Sequence, residues 1–399
     1  LIGMDFSVVS DVVVACPHRI SPYLKEEVEA LGYDIVESFK TGVRIRGSLM
    51  DCIRLNLNLR TATQVRYSLH SFRAERPDDI YNLAAKIPWE EIFSPHEKFS
   101  VQNSAEHFTL NNTMFINLRV KDAVADRFRS KGLGRPDSGS DAAGVVIHLH
   151  WRDDHAELFL DTSGSVISRH GYRRIPGKAP MQESLAAAVV MATQWDRMSP
   201  FINPMCGSGT LAIEAALIAS GRKPGLIHRD YAFCHLLGYP AEFLDQEREK
   251  LKGAILEKEM PLIIASDIRN GAVEDARENA RNAGVEHLIQ FECADFRMSD
   301  IPPQAGVIVL NPEYGERMGE LSELENTYKE IGDFFKKRCA GHKGFVFTGN
   351  LDLAKKIGLK PSRRIEFFSA QLDCRLLQFE LYQGSRKVKN PAEESPSGE

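Results

Sequence analysis

The chain has 399 residues, 43% of them apolar and 26% charged, with a formal net charge of −5. Such a length exceeds one small core and implies two or three domains, the ordinary composition excludes a disordered or fibrous chain, and the acidic balance means a nucleic-acid partner must meet a local basic patch. Seven scattered cysteines (16, 52, 206, 234, 293, 339 and 374) with no C-x-x-C point to reduced thiols in a cytoplasmic protein without a disulfide framework or a metal site. No apolar run nears the roughly 20 residues that span a bilayer. Asp5, Asp11, His18 and Arg19 interrupt any secretory leader, so no membrane partner is expected.

In chain order, residues 12–16 read as a short buried strand. Ser21-Pro22 opens a helix with Tyr23, Leu24, Val28 and Leu31 on one face and Gly32 as its stop. Strands over 33–38 and 43–46 follow, then a helix carrying Met50, Ile53 and Leu57. Residues 5–60 thus form a small α+β sandwich resembling a ferredoxin-like module.

Strands and helices alternate again to residue 163. The clearest helix spans 112–129, with Phe115, Leu118, Val120, Val124 and Phe128 as its expected apolar stripe, and Gly132, Gly134 and Pro136 end it. Alternating strands over 145–150 and 156–160 are joined by a turn at Asp153-Asp154. Beyond Ser184, parallel strands buried on both faces are expected at 201–202, 262–266, 288–293, 307–310 and 345–348. Helices separate them, for example over 270–283, capped by Asn270 and stopped by Gly284. An antiparallel pair over 363–369 and 375–382 closes a doubly wound α/β sheet. The polar segment 386–399 reads as a disordered tail.

Four strand ends carry chemistry. Asn203-Pro204-Met205-Cys206-Gly207-Ser208-Gly209-Thr210 joins a strand to a helix expected over 211–219. There, free helix N–H groups attract an anion and Gly207 and Gly209 let the backbone approach a ligand, although a tight turn without ligand remains the alternative. The dinucleotide glycine fingerprint is incomplete, because Ala212 replaces its third glycine. Asp267 ends the next strand, where a carboxylate accepts from ribose hydroxyls or else caps the following helix. Asp295 and Phe296 end the third, where a carboxylate can accept from an adenine amine and a ring can cover the base. Asn311-Pro312-Glu313-Tyr314 ends the fourth. An amide oxygen and the Pro312 carbonyl can orient an exocyclic amine while Tyr314 holds a base flat, a stacking term of roughly 1–3 kcal/mol; a turn with a buried tyrosine is the alternative.

N-P-M-C-G-S-G-T with the following I-E-A-A, N-P-x-Y-G-E-R from Asn311, R-H-G-Y-R from Arg169, E-S-L-A-A from Glu183, V-K-D-A-V from Val120 and L-D-T-S-G from Leu160 together resemble the THUMP-domain class I RNA methyltransferases. The similarity is greatest to those making N2-methylguanine in bacterial 23S ribosomal RNA. The resemblance implies a ferredoxin-like module, a THUMP domain over 61–163 and a Rossmann-like methyltransferase domain over 164–385. It implies S-adenosylmethionine held by Asn203, Pro204, Cys206, Gly207, Ser208, Gly209, Thr210, Asp267, Asp295 and Phe296, and a target amine met by Asn311, Pro312 and Tyr314. The implied partner is 23S ribosomal RNA or its precursor. Two departures stand out: Asn203 where the family has Asp, and Glu313 where the family has a second proline.

Two basic clusters offer an RNA surface: Arg127, Arg129, Lys131 and Arg135, and Arg169, Arg173, Arg174 and Lys178 at the domain junction. Solvated helix-terminal charge is the alternative for the first. Three other functions stay open. An adenine-N6 DNA methyltransferase fits N-P-x-Y, a catalytically weakened RNA-binding or ribosome-assembly protein fits Glu313, and a nicotinamide dehydrogenase is disfavoured by the glycine pattern.

Overall fold

The computed structural model describes residues 3–108, 112–174, 181–315 and 321–382. The expected tail at 386–399 and Lys178 lie outside these residues. The first half of the chain supplies β1 (Ser10–Ala15), α1 (Ser21–Ala30), β2 (Ile35–Phe39), β3 (Gly42–Gly47), α2 (Leu49–Asn58) and β4 (Gln64–Arg73). It continues with α3 (Pro77–Ala84), α4 (Trp89–Ile92), β5 (Phe99–Glu106), α5 (Thr113–Ser130), β6 (Ser138–Gly139), β7 (Val145–Arg152) and β8 (His155–Asp161). These strands form one eight-stranded sheet in the order β2-β3-β1-β4-β8-β7-β5-β6.

Alternation dictates the first layer: Val12, Val14, Val43 and Ile45 point to the same side and are fully buried beneath Leu24, Val28, Leu49 and Ile53 of α1 and α2. Helix α2 starts sharply because Ser48 Oγ accepts from Asp51 N while Asp51 Oδ2 accepts from Ser48 N at 2.8 Å, a reciprocal cap. Strand β4 serves both modules, since Gln64 to Tyr67 pair with β1 and Arg66 to Arg73 pair with β8. A long strand of this kind makes the two N-terminal modules one sheet.

In α5 the expected stripe is rotated. Ile116, Val120, Val124 and Phe128 are fully buried at i, i+4, i+8 and i+12, whereas Phe115 and Leu118 remain 49% and 57% exposed. One residue step places 115 and 116 about 100° apart, and the core takes the row that continues to Phe128.

The second half adds α6 (Glu183–Ala192), β9 (Phe201–Pro204), α7 (Thr210–Ala219), α8 (Ala241–Gly253), β10 (Ile263–Asp267), α9 (Asn270–Ala283) and β11 (Ile289–Cys293). Then come β12 (Val307–Leu310), α10 (Leu321–Arg338), β13 (Lys343–Thr348), α11 (Leu351–Lys355), β14 (Arg363–Ser369) and β15 (Leu372–Glu380). Their sheet runs β11-β10-β9-β12-β13-β15-β14, parallel from β11 to β13, with the closing hairpin antiparallel. The α/β class expected from the sequence is the class observed.

The chain winds outward from β9 to β11 and then returns to the other side of β9. The switch point therefore lies between the carboxyl ends of β9 and β12, where open α/β sheets place their ligands. Two local expectations are corrected. Strand β11 is an edge strand, so only Ile289 is buried along it. Asn270 is the first residue of α9 and not its cap; the N-cap position is Arg269, whose N–H is taken by Asp267 Oδ1 at 3.0 Å. Gly284 does end α9, in the left-handed region at φ 73°.

Candidate active site

Three residues in the left-handed region, Met205 (φ 56°), Gly207 (φ 54°) and Gly209 (φ 82°), bend the loop between β9 and α7. The two glycines serve different ends. A Cβ on Gly207 would meet open space, so only its φ excludes other residues, whereas one on Gly209 would lie 2.8 Å from Ala276 Cβ of α9. Gly209 thus lets two helices approach, a role the ligand-contact expectation did not contain. It also leaves α7 with no side-chain cap, so that its first N–H groups face the crevice unhelped by the chain's own side chains.

Asp267, at the end of β10, fixes this loop. Its Oδ2 accepts from Gly207 N at 3.0 Å and its Oδ1 from Arg269 N at 3.0 Å. Beside it Ile268 is 66% exposed, a large apolar side chain left uncovered at the strand end. Asp295 caps the turn after β11 through Arg297 N at 2.9 Å, and the Arg297 guanidinium, which also reaches Glu330 at 2.8 Å, holds its carboxyl below the usual range. Phe296 does not face the crevice: it is 8% exposed and meets Phe334 edge-on at 5.7 Å. The ring expected to cover a base is thus core, and Ile268 is the apolar surface that sequence reading passed over. Burial pushes the Cys206 thiol up, so it offers bulk and no thiolate.

At the switch point the strands part after the Ile202–Ile308 pair. Asn203, fully buried, bridges the gap by donating Nδ2–H to the Val309 carbonyl at 2.9 Å. An aspartate could not donate this bond, which gives the departure at 203 a structural reason. Among the described residues the buried Oδ1 atoms of Asn203 and of Asn311 have no hydrogen-bond partner. Each such orphan costs about 1–3 kcal/mol, and these two stand at adjacent strand ends on either side of the switch point.

The loop after β12 is pinned on both sides of Glu313. Pro312 is buried, and Tyr314 is half-buried with its ring edge 3.1 Å from where a Gly349 Cβ would stand. Asn350 Nδ2 donates to the Tyr314 carbonyl at 3.4 Å, while its Oδ1 caps α11 through Asp352 N and Leu353 N at 3.1 Å. Sequence reading missed Gly349 and Asn350; a Gly-Asn pair ending a strand is the signal that could have found them.

The shared motifs around His170 and Glu214 prove to be one buried joint. Glu214 Oε1, on α7, accepts from Tyr172 OH at 2.7 Å and lies 2.7 Å from His170 Nδ1, while His170 Nε2 lies 2.8 Å from the Arg60 carbonyl. Arg60 in turn donates to the Leu217 and Arg222 carbonyls at 3.1 and 2.7 Å. Burial alone would push His170 down, but the Glu214 carboxylate and the Arg60 carbonyl outweigh it and hold the imidazole above its ordinary value. The N-terminal half is thereby fastened to the helix that begins at the crevice.

The basic clusters fare unequally. Arg127 forks onto Glu90, Lys131 lies 3.6 Å from the same carboxylate, and Arg129 pairs with Asp126 at 2.9 Å, so three of the four charges are paired within the chain and Arg135 stays exposed. Arg173 is a half-buried strut to Met181 O and Glu183, whereas Arg169 and Arg174 are exposed at the junction.

Residues 170–378 match the family model described as RMKL-like methyltransferase domain, residues 74–161 the THUMP domain, and residues 11–66 the RlmL ferredoxin-like domain. Among curated proteins, a ribosomal RNA large subunit methyltransferase K/L of Syntrophotalea carbinolica is 36% identical over 377 residues, covering 92% of this chain and 53% of that protein. Its counterpart from Methylococcus capsulatus is 32% identical over 382 residues, covering 93% and 51%. The chain thus spans about half the length of the curated relatives it matches. Among solved structures, SMU.472, complexed with SAH, is 25% identical with a TM-score of 0.84 over 96% of this chain and 100% of its own. A predicted N6-adenine-specific DNA methylase from Listeria monocytogenes is 29% identical with a TM-score of 0.83, covering 95% and 97%.

Proposed function

Because this chain belongs to the RMKL-like methyltransferase family, we propose that it methylates the exocyclic N2 amine of a guanine in 23S ribosomal RNA, with S-adenosylmethionine as donor. The observation that carries this reading is the pair of buried, unpartnered amide oxygens of Asn203 and Asn311 at the switch point. The cofactor supplies an electrophilic methyl group on a sulfonium. The uncapped start of α7, over Gly207, Ser208, Gly209 and Thr210, suits its carboxylate. Asp267 would accept from its ribose, Ile268 and Asp295 would hold its base, and Asn203, Pro204 and Cys206 would line the site.

On the other side of the crevice, Asn311 Oδ1 and the Pro312 carbonyl accept the two N–H bonds of the target amine, and Tyr314 supports the base. Orienting both hydrogens aims the nitrogen lone pair at the methyl carbon, so position and electrostatics do the work of a general base, and the surplus proton leaves to water. A base can reach this crevice only when unstacked from its helix. The THUMP-containing half, with Arg169 and Arg174 at the junction, delivers the RNA.

The same acceptor pair would also serve an adenine N6 amine, and one similar structure carries that description. Mass-spectrometric mapping of ribosomal RNA and of DNA from a strain lacking the gene separates the two. Loss of one N2-methylguanine from 23S RNA is expected; an intact 23S pattern with lost adenine methylation in DNA would reverse the assignment.

A further inference from the structure

We infer that the carboxylate of Glu313 reads the target base, accepting the N1–H of guanine next to the amine that is methylated. The inference rests on the guanine-N2 reading above. Glu313 lies between the two acceptor-bearing residues Asn311 and Pro312 and the base-supporting Tyr314, in a loop held on both sides. Pro312 is buried before it, and the Tyr314 carbonyl is tied to Asn350 after it. The Glu313 side chain is exposed, and among the described residues it makes no hydrogen bond or ion pair. Among the described residues, the arginines at this end of the sheet are committed elsewhere: Arg269 to Asp267, Arg297 to Asp295 and Glu330, and Arg19 and Arg375 to Asp373. Among the described residues its carboxylate is therefore uncompensated, on a backbone tied at both sides, beside a crevice that must admit a polyanion.

Such a charge works against backbone phosphates and favours a hydrogen-bond donor, and the base edge beside the target amine is where one is within reach. Guanine presents one: its N1–H lies directly beside the N2 amine, on the same Watson–Crick edge that a flipped base offers to an active site. Adenine presents the reverse, a lone pair at N1 beside its N6 amine, and a carboxylate, which only accepts, would face it unfavourably. Charge adds a second term. Methyl transfer makes the attacking nitrogen more positive, and a fixed negative group one ring position away favours that change. The residue that departs from the family pattern thus becomes a device for choosing guanine.

The test uses a hairpin RNA spanning the mapped site, made with guanine or with 2-aminopurine, which keeps the amine and lacks N1–H. kcat/KM is measured on both for the wild type, Glu313→Ala and Glu313→Gln. The wild type should prefer guanine by about tenfold or more. Glu313→Ala should erase most of that preference through a fall on guanine alone, and Glu313→Gln, which keeps an acceptor oxygen, should retain part of it. Equal losses on both substrates, or an unchanged ratio, would overturn the inference while leaving the guanine-N2 reading in place. A wild-type protein that methylates no guanine would remove both.

Discussion

Both sheets of this protein bury polar groups, and they do so to opposite ends. In the N-terminal sheet the charged cluster around Glu157 closes on itself. Arg44 forks onto Glu157 at 2.9 and 3.0 Å and reaches Asp11 at 3.0 Å, and Ser68 adds a bond to Glu157 at 2.6 Å. In the C-terminal sheet, at the mouth between β9 and β12, the amide oxygens of Asn203 and Asn311 are left without partners among the described residues. Satisfied charges hold a fold together; unsatisfied acceptors at strand ends hold a place for something else.

The largest expected effect breaks the second half of this contrast. Asn311→Ala should lower methyl transfer to RNA by about 10²–10³-fold, the scale on which one oriented polar group at a reacting centre is felt. Its thermal stability should stay level or rise, because the substitution removes a buried acceptor that nothing in the folded chain satisfies. A fall in stability matching the fall in activity would mean that the amide is structural.

Glu157→Gln probes the first half. The Glu157 side chain is 3% exposed, and removing its charge leaves Arg44 without its main partner, which should cost about 3 kcal/mol in denaturant unfolding. Turnover per folded molecule should be unchanged. Lost turnover in a folded variant would place this face of the sheet in RNA handling.

Asp267→Ala stands between the two regimes, since that carboxylate is both satisfied and at the mouth. Cofactor affinity should drop about tenfold or more by calorimetry, with RNA affinity unaltered. A matched loss of RNA affinity would show that the loop it tethers through Gly207 also shapes the RNA surface.

A smaller, pH-dependent effect concerns the joint between the halves. The His170 value is raised on folding, so its stabilisation is complete below the unfolded value of about 6.5 and is lost as pH rises through the folded one. Stability of the wild type should therefore decline above about pH 6.5 more steeply than that of His170→Gln. Parallel profiles would mean that the imidazole is neutral in the folded protein.

What the sequence disclosed follows the same division. The strand-end residues were legible because each sits in a short contiguous motif whose geometry is local: a bend, a helix start, an acidic strand end. The partners were not. Glu90 neutralises Arg127 from 37 positions away and Glu157 meets Arg44 across 113, and no local pattern reports such pairings, so Arg127 and Lys131 read as free cations. Phe296 looked available because it follows Asp295 in sequence, yet its direction is set by Phe334 of α10. The stripe of α5 differs for a related reason: Phe115 and Leu118 offer apolar surface beside the row from Ile116 to Phe128, and only the sheet beneath selects between them.

The smallest expected effects separate two asparagines that look alike in sequence. Asn112 caps α5, accepting from Met114 N at 2.8 Å, and Asn112→Ala should cost about 1 kcal/mol in denaturant unfolding. Asn270 makes no such bond, and because alanine is the better helix former, Asn270→Ala should be neutral or stabilising by a few tenths of a kcal/mol. A loss of about 1 kcal/mol at position 270 would restore it as the cap. The reason to expect otherwise is that Asp267 already takes the Arg269 N–H that opens α9 while its other oxygen holds Gly207. One carboxylate thus takes the N–H at the start of a helix and tethers the crevice loop, and Asn270 is left with nothing to cap.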